Sequence, residues 1–437
     1  MSAISSSSAL NRLFWRVHFW AGLISSPIIL FAALTGLLYV FTPQIEACRH
    51  ADVDRVAVGS QRLPLDAQVQ AALAAAPDAA LRYVVPAHAA HDSTQVWLRA
   101  PHAHHGTAEH DHGLPSGSIV YVDPYTGQVL GQLQEMARFK TWAKKLHSTA
   151  LQGAGWRWLI ELGASWMLVL FATGLVMWWP KPQARGGAGW RALIPRWGRG
   201  RATWRDLHAV VALALGLVLA VVLVTGLTWS EHSGKRFREL QSALGQDAPK
   251  APKSLRSAPG DGPPLSWQAV LERSRAQAPD IAMQITPPAG ANGVWRIENF
   301  DRTQPTRRFS LALDARSGAT LFSSGWEGFP TLARATAVGI PFHRGEFGVW
   351  NQVLLALAAL AAVFSVVSGL VMWWQRRPRG KVGAPALPNR HLRQAPLWLW
   401  PLMAGLAYAM PVFGWSLLAM LAVEALTRLL PRKHKPA

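Results

Sequence analysis

Four apolar stretches decide what this chain of 437 residues can fold into: residues 24–40, 159–179, 207–229 and 353–374. Each approaches or exceeds the roughly 18 residues that cross a bilayer as a helix. At about 1.5 Å per residue such a run covers most of the ~30 Å of hydrocarbon, and a helix satisfies its own backbone polar groups there. The chain is therefore read as a mainly α-helical membrane protein, and a soluble enzyme is excluded.

The stretches are related to one another. They end on TGLLYVF at Thr35, TGLVMWWP at Thr173, TGLTWSEH at Thr225 and SGLVMWWQ at Ser368. Between the two stretches of each half lies a polar segment carrying a similar strand and turn, YVDPYTGQVLG around Asp123 and LALDARSGATLF around Asp314, 191 positions apart. His18 precedes Gly36 by 18 residues, and His208 precedes Gly226 by 18. His147 precedes Gly174 by 27, and His343 precedes Gly369 by 26. One internal duplication accounts for all of these correspondences.

A formal net charge of +20 would suggest nucleic acid if it covered one globular face, but its distribution argues otherwise. Nineteen of the 44 basic residues fall in four short acid-free segments: Arg12 with Arg16, residues 181–205, residues 376–393 and residues 428–435. The other 25 face 24 acids, which is balance. The excess is topological: by the positive-inside rule these four segments, and with them both termini, are expected in the cytoplasm, and the long stretches 42–141 and 230–342 on the far side of the membrane. No nucleic-acid partner is expected.

The start of the chain lacks a small-residue cleavage site and reads as a retained anchor. The single cysteine, Cys48, has no partner for an internal disulfide and is read as an inert small residue. After Arg393 some 30 apolar residues, broken at Pro411 and Gly414 and basic at both flanks, fit a hairpin of two short spans better than one long span. The expected organisation is a first span in 1–42, an outer module in 43–141, a second span in 142–180, a basic loop in 181–204 and a third span in 205–230. A second outer module in 231–342, a fourth span in 343–375, a basic loop in 376–394, a hairpin in 395–430 and a tail in 431–437 follow.

Each outer segment opens with an amphipathic helical pattern, LDAQVQAALAAAP at Leu65 and SWQAVLERSRAQAP at Ser266. Strand patterns follow, among them TQVWLRA and GVWRIENF, and each segment closes on an Asp-x-x-x-Gly turn. Two small α+β modules are expected, above a four-helix core.

An ionisable residue in a membrane span is costly without a partner and is a functional candidate by default. His18 and His208 each follow a tryptophan at the same rim of corresponding spans, whereas His147 and His343 precede their spans at the other rim. Two pairs at two depths, roughly 20 to 30 Å apart by helix rise, suit two b-type haems, each held by two imidazoles. With both axial positions filled, electron transfer is favoured over oxygen chemistry. The competing reading has rim histidines anchoring the helices beside the 22 tryptophans, most of which mark the interfaces. His232, in TWSEHSG, is not duplicated and is a third candidate for the outer haem.

The modules with DPYTG and LDARSG, joined to spans carrying RVHFWAGL, KLHSTALQG, WRDLHAVVALALGL and PFHRGEFGVWNQ, resemble the PepSY-associated transmembrane family. The likeness runs over nearly the whole chain, the terminal hairpin included. Some members are ferric-siderophore reductases, which implies two periplasmic PepSY-like modules and reduction of a ferric chelate to release Fe(II). The inner segments hold at most about 25 residues each and no Gly-rich dinucleotide fingerprint, so the electron donor, quinol or a cytoplasmic reductase, lies elsewhere.

Two features stay outside that scheme. Seven of the fifteen histidines fall between His88 and His112, and the run with His102, His104, His105, His110 and His112 is a flexible metal-binding candidate without a tetrahedral frame. Glu161, inside the second span, is a proton or haem-propionate partner or a packing contact. Two other classes compete: a periplasmic binding or regulatory protein without redox activity, and a metal-handling transporter fed by the histidine run.

Overall fold

A computed structural model describes residues 2–99, 114–178, 194–198, 200–278, 280–290, 292–378 and 396–429. The chain begins with the long helix α1 (Ser2–Val40), the short α2 (Thr42–Arg49) and α3 (Ala51–Asp54), then α4 (Leu65–Ala75). Strands β1 (Ala80–Val85), β2 (Thr94–Arg99), β3 (Ser118–Val122) and β4 (Val129–Gln134) lead to α5 (Phe139–Thr149) and α6 (Arg157–Trp178). The second half repeats the plan with α7 (Arg201–Leu227), α8 (His232–Ala243), α9 (Trp267–Gln277), β5 (Met283–Thr286), β6 (Val294–Asn299), β7 (Phe309–Asp314), β8 (Thr320–Gly325), α10 (Thr331–His343) and α11 (Val349–Arg376). Helices α12 (Leu399–Ala409) and α13 (Pro411–Leu429) follow.

Among the described residues four helices are long and apolar enough to cross a membrane: Leu10–Val40, Ala154–Trp178, Arg201–Leu227 and Val349–Arg376. They close into a ring in which α1 packs on α6 and α11, and α7 packs on the same two. Related spans α1 and α7 thus face each other across the centre. Outward-facing Leu217, Val221, Val224, Leu357 and Leu360 are exposed, as lipid-facing side chains are in a bundle without its bilayer. Inward, small residues let backbones approach, since a Cβ on Gly163 would come within 2.8 Å of Ile28.

The terminal hairpin packs outside this ring. Phe413 is fully buried against Trp166, whose indole N–H donates to Ser416 Oγ (2.9 Å). A hairpin of two short spans was expected here, and the 11 residues of α12 cover about 16 Å. The 19-residue α13 covers about 28 Å, from α8 near the sheet to the Arg16–Glu424 ion pair (2.7 Å) at the far rim.

Two small outer α+β modules were also expected, and each half supplies one helix and four strands. The structure joins them into one antiparallel sheet of eight strands, order β4-β3-β2-β1-β5-β6-β7-β8, with Val84 opposite Ile285 at the seam. The physical reason is that β1 and β5 would otherwise be bare edges, and pairing them removes both. Below the seam Leu65, Val69, Val84 and Val96 share one core with Val270, Ile285, Ile297 and Leu313. The helices on that face cap each other: Asp66 accepts from the N–H groups of Trp267 (2.9 Å) and Gln268 (3.0 Å), and Gln268 Oε1 accepts from Leu65 N–H (3.0 Å). The two Asp-x-x-x-Gly turns match closely: Gly127 (φ 76°) and Gly318 (φ 68°) take the left-handed conformation after Asp123 and Asp314.

Candidate functional site

The recurrent Thr-Gly or Ser-Gly at the end of each span turns out to be a docking place for a histidine of another element. His18 of α1 lies on Thr173 and Gly174 of α6, while His147 of α5 lies on Thr35 and Gly36 of α1. In the second half His208 of α7 lies on Ser368 and Gly369 of α11, and His343 of α10 lies on Thr225 and Gly226 of α7. Each half therefore exchanges histidines with itself, and glycine leaves the room: a Cβ would stand 3.4 Å from His147 Cε1, 3.2 Å from that of His18, 2.9 Å from that of His343 and 3.9 Å from that of His208.

The hydroxyls settle which ring nitrogen is free. Thr173 Oγ1 donates to the Val169 carbonyl (2.8 Å), Thr35 to Phe31 (2.7 Å), Thr225 to Val221 (2.7 Å) and Ser368 to Phe364 (2.6 Å). A hydroxyl has one proton, so toward the histidine it can only accept. The Nδ1–H groups of His18, His147 and His208 donate to these oxygens at 3.0, 2.9 and 2.9 Å; His343 Nδ1–H donates to the Val222 carbonyl at 2.8 Å, with Thr225 Oγ1 at 3.4 Å. This network assigns the proton to Nδ1 and leaves Nε2 as a lone pair, the arrangement that outer-shell partners impose on metal-ligating imidazoles.

His18 and His208 meet across the ring, with ring centroids 6.3 Å apart and planes at 80°. Two imidazoles bound through Nε2 to one ion, each at about 2.0 Å, have centroids roughly 6 Å apart. They border a cavity of about 790 Å³ between the four spanning helices, within the usual range for ligand sites. Each helix contributes a glycine to its wall, Gly22, Gly174, Gly216 and Gly369. The other pair, His147 and His343, lies within electrostatic reach of each other on the sheet side. Along α1, 18 residues separate His18 from the Gly36 that receives His147, about 27 Å of helix.

Among the described residues no group of three or more His, Cys, Asp or Glu is arranged to hold a metal ion. Paired histidines are too few for a structural zinc but sufficient for an iron that brings four ring nitrogens of its own. Haem thus fits the donor set, the room and the tautomer.

Glu161 and His232 are brought together, away from these pairs. The Glu161 side chain is buried at the start of α8 and accepts from His232 N–H (3.0 Å), Ser233 N–H (2.7 Å) and Ser233 Oγ (2.6 Å), with His232 Nδ1 at 3.2 Å. It is a cap for the helix that follows the third span, and it fixes His232 beside itself. His102, His104, His105, His110 and His112 lie outside the described residues. Sequence reasoning missed Thr35, Thr173, Thr225 and Ser368 as partners of the histidines. Their signal was visible in the repeated Thr-Gly and Ser-Gly, which served only to mark the duplication.

Four spanning helices in a ring, paired histidines at two depths and a sheet on one side define a multi-pass membrane protein with a cavity between its spans. The chain belongs to the family of the PepSY-associated TM region, whose family model matches residues 15–376. That match takes in both halves and all four histidines and stops short of the hairpin, which the resemblance in sequence had included. No curated protein matches the chain.

Proposed function

We propose that this protein is a di-haem electron carrier of a bacterial inner membrane that reduces a ferric chelate, such as a ferric siderophore, on the periplasmic side. His18 and His208 would hold the haem nearer the cytoplasm, and His147 and His343 the one nearer the periplasm. Haem bound there would supply a one-electron centre, held by the two imidazoles of each pair. The protein's own part is to present four imidazoles in the Nε2-free tautomer, to keep water out with apolar helices and to fix the two levels. Electrons enter from quinol or a cytoplasmic reductase at the rim away from the sheet, and Fe(II), held more weakly than Fe(III) by hard oxygen ligands, is released outside. On this reading the sheet is a pair of PepSY-like modules above the outer pair.

The observation that carries the reading is the fourfold Nδ1 contact, because helix-anchoring histidines need no common tautomer. The test is the absorption spectrum of the purified protein, oxidised and dithionite-reduced, with haem quantified per chain. About two haems with six-coordinate b-type bands are expected. Protein without haem, from cells amply supplied with it, would sink the proposal and favour a binding or regulatory role for the sheet.

A further inference from the structure

The cavity beside His18 and His208 is chemically uneven along its length. Toward the membrane centre its walls are Leu23, Ile29, Phe171, Leu219 and Ala361, with no charged group. At the rim away from the sheet it opens between Arg201, Arg205, Asp206 and Arg376, next to Trp15. Asp206 is already engaged, accepting from Arg196 Nε (2.6 Å) and lying 3.2 Å from Arg205 Nη2. Arg201 and Arg376 make no ion pair among the described residues, yet they are close enough to repel each other. Arg376 rests over the Trp15 ring with 4.2 Å between guanidinium carbon and centroid. Two exposed cations side by side at the mouth of the cavity, neither in an ion pair, are placed to receive anionic groups of a ligand whose apolar part lies deeper between the helices.

The level is right as well. Arg201 precedes His208 by seven residues on α7, and Arg376 follows Gly369 by seven on α11, so both stand about 10 Å of helix toward the rim from the histidine pair. We infer that Arg201 and Arg376 bind the two carboxylates of a flat dicarboxylic macrocycle held between His18 and His208, so that its acid edge faces the rim and its apolar edge the membrane centre. This rests on the haem reading above. It assigns to the two arginines the choice of which way round the ligand enters.

The test uses the full chain, freed of haem and titrated with ferric protoporphyrin and separately with its dimethyl ester, in the wild type, in R201Q/R376Q and in R377Q. Arg377, stacked on Trp374, is outside the cavity wall and serves as control. The wild type and R377Q are expected to prefer the free acid by at least about tenfold, the scale of a charge-assisted contact, while R201Q/R376Q binds acid and ester alike. In protein loaded during expression, the double variant should lower one of the two midpoint potentials and leave the other, since removing cations disfavours the reduced state. Equal binding of acid and ester by the wild type, or an undiminished preference in the double variant, overturns the inference while the haem reading stands. Failure of the wild type to bind either form overturns both.

Discussion

Replacing the four histidine-facing glycines by alanine, one at a time, tests the packing argument with a graded series. At Gly226 the new methyl would stand 2.9 Å from His343 Cε1, too close without movement, and the ring is tethered through Nδ1 to the Val222 carbonyl at 2.8 Å. Overpacking of this kind costs about 1–3 kcal/mol, against a gain of up to about 1 kcal/mol from alanine's helix propensity, so a net loss of as much as ~2 kcal/mol is expected. At Gly369 the methyl would lie 3.9 Å from His208 Cε1, an ordinary contact, so the propensity gain is uncompensated and the variant should equal or exceed the wild type. Gly174 at 3.2 Å and Gly36 at 3.4 Å fall between. The assay is thermal unfolding of each purified variant in one detergent, followed by circular dichroism, with haem content read in parallel. The expected order of stability is Gly369→Ala, Gly36→Ala, Gly174→Ala, Gly226→Ala, from most to least. Four equal losses, or a loss at Gly369 as large as at Gly226, would refute the claim that these glycines exist to admit the imidazoles.

Thr173→Val removes the oxygen that receives His18 Nδ1–H but leaves the Leu170 carbonyl as a second acceptor, so haem affinity at that level should fall by about tenfold rather than vanish, measured by haem transfer to an apo-globin. Glu161→Gln replaces a carboxylate that accepts four contacts by an amide with one acceptor oxygen. A loss of about 1–3 kcal/mol in unfolding free energy with an unchanged haem spectrum is expected, and a spectral change would move Glu161 into the haem site. Asp314 is held down at about 2 against an ordinary 3.8 by the Ser317 backbone N–H first, then by those of Ala258 and Arg316. A depressed carboxyl stabilises the fold above its unfolded value and loses that contribution as pH falls. Protection of the sheet amides should therefore weaken between about pH 4 and 2 in the wild type and show no such step in Asp314→Asn.

Much of the architecture was legible because it rests on local periodicity. The spans follow from uninterrupted apolar residues, and the duplication follows from Asp123 and Asp314 and from the four Thr-Gly or Ser-Gly ends. The turn glycines Gly127 and Gly318 follow from the conformation their turns demand. The histidines were legible as candidates for the same reason, since a polar ring at the rim of an apolar helix has no local explanation. Their hydroxyl partners were not, because Thr173 and His18 are separated by 155 positions and nothing in a single sequence says that α6 will lie beside α1.

By itself, then, the sequence determined the membrane class, the twofold repeat, the spans of α1, α6, α7 and α11, and the set of four histidines, all properties of hydrophobicity and spacing along one chain. Only the tertiary structure decided that the outer halves share one eight-stranded sheet, since edge pairing between β1 and β5 depends on two distant strands meeting. It also decided that the hairpin packs on α6 through Phe413 and Trp166, that Glu161 is committed to the start of α8, and that His18 meets His208 at 6.3 Å. Those outcomes depend on which helix packs on which, and helix packing is set by shape and close approach between segments far apart in sequence.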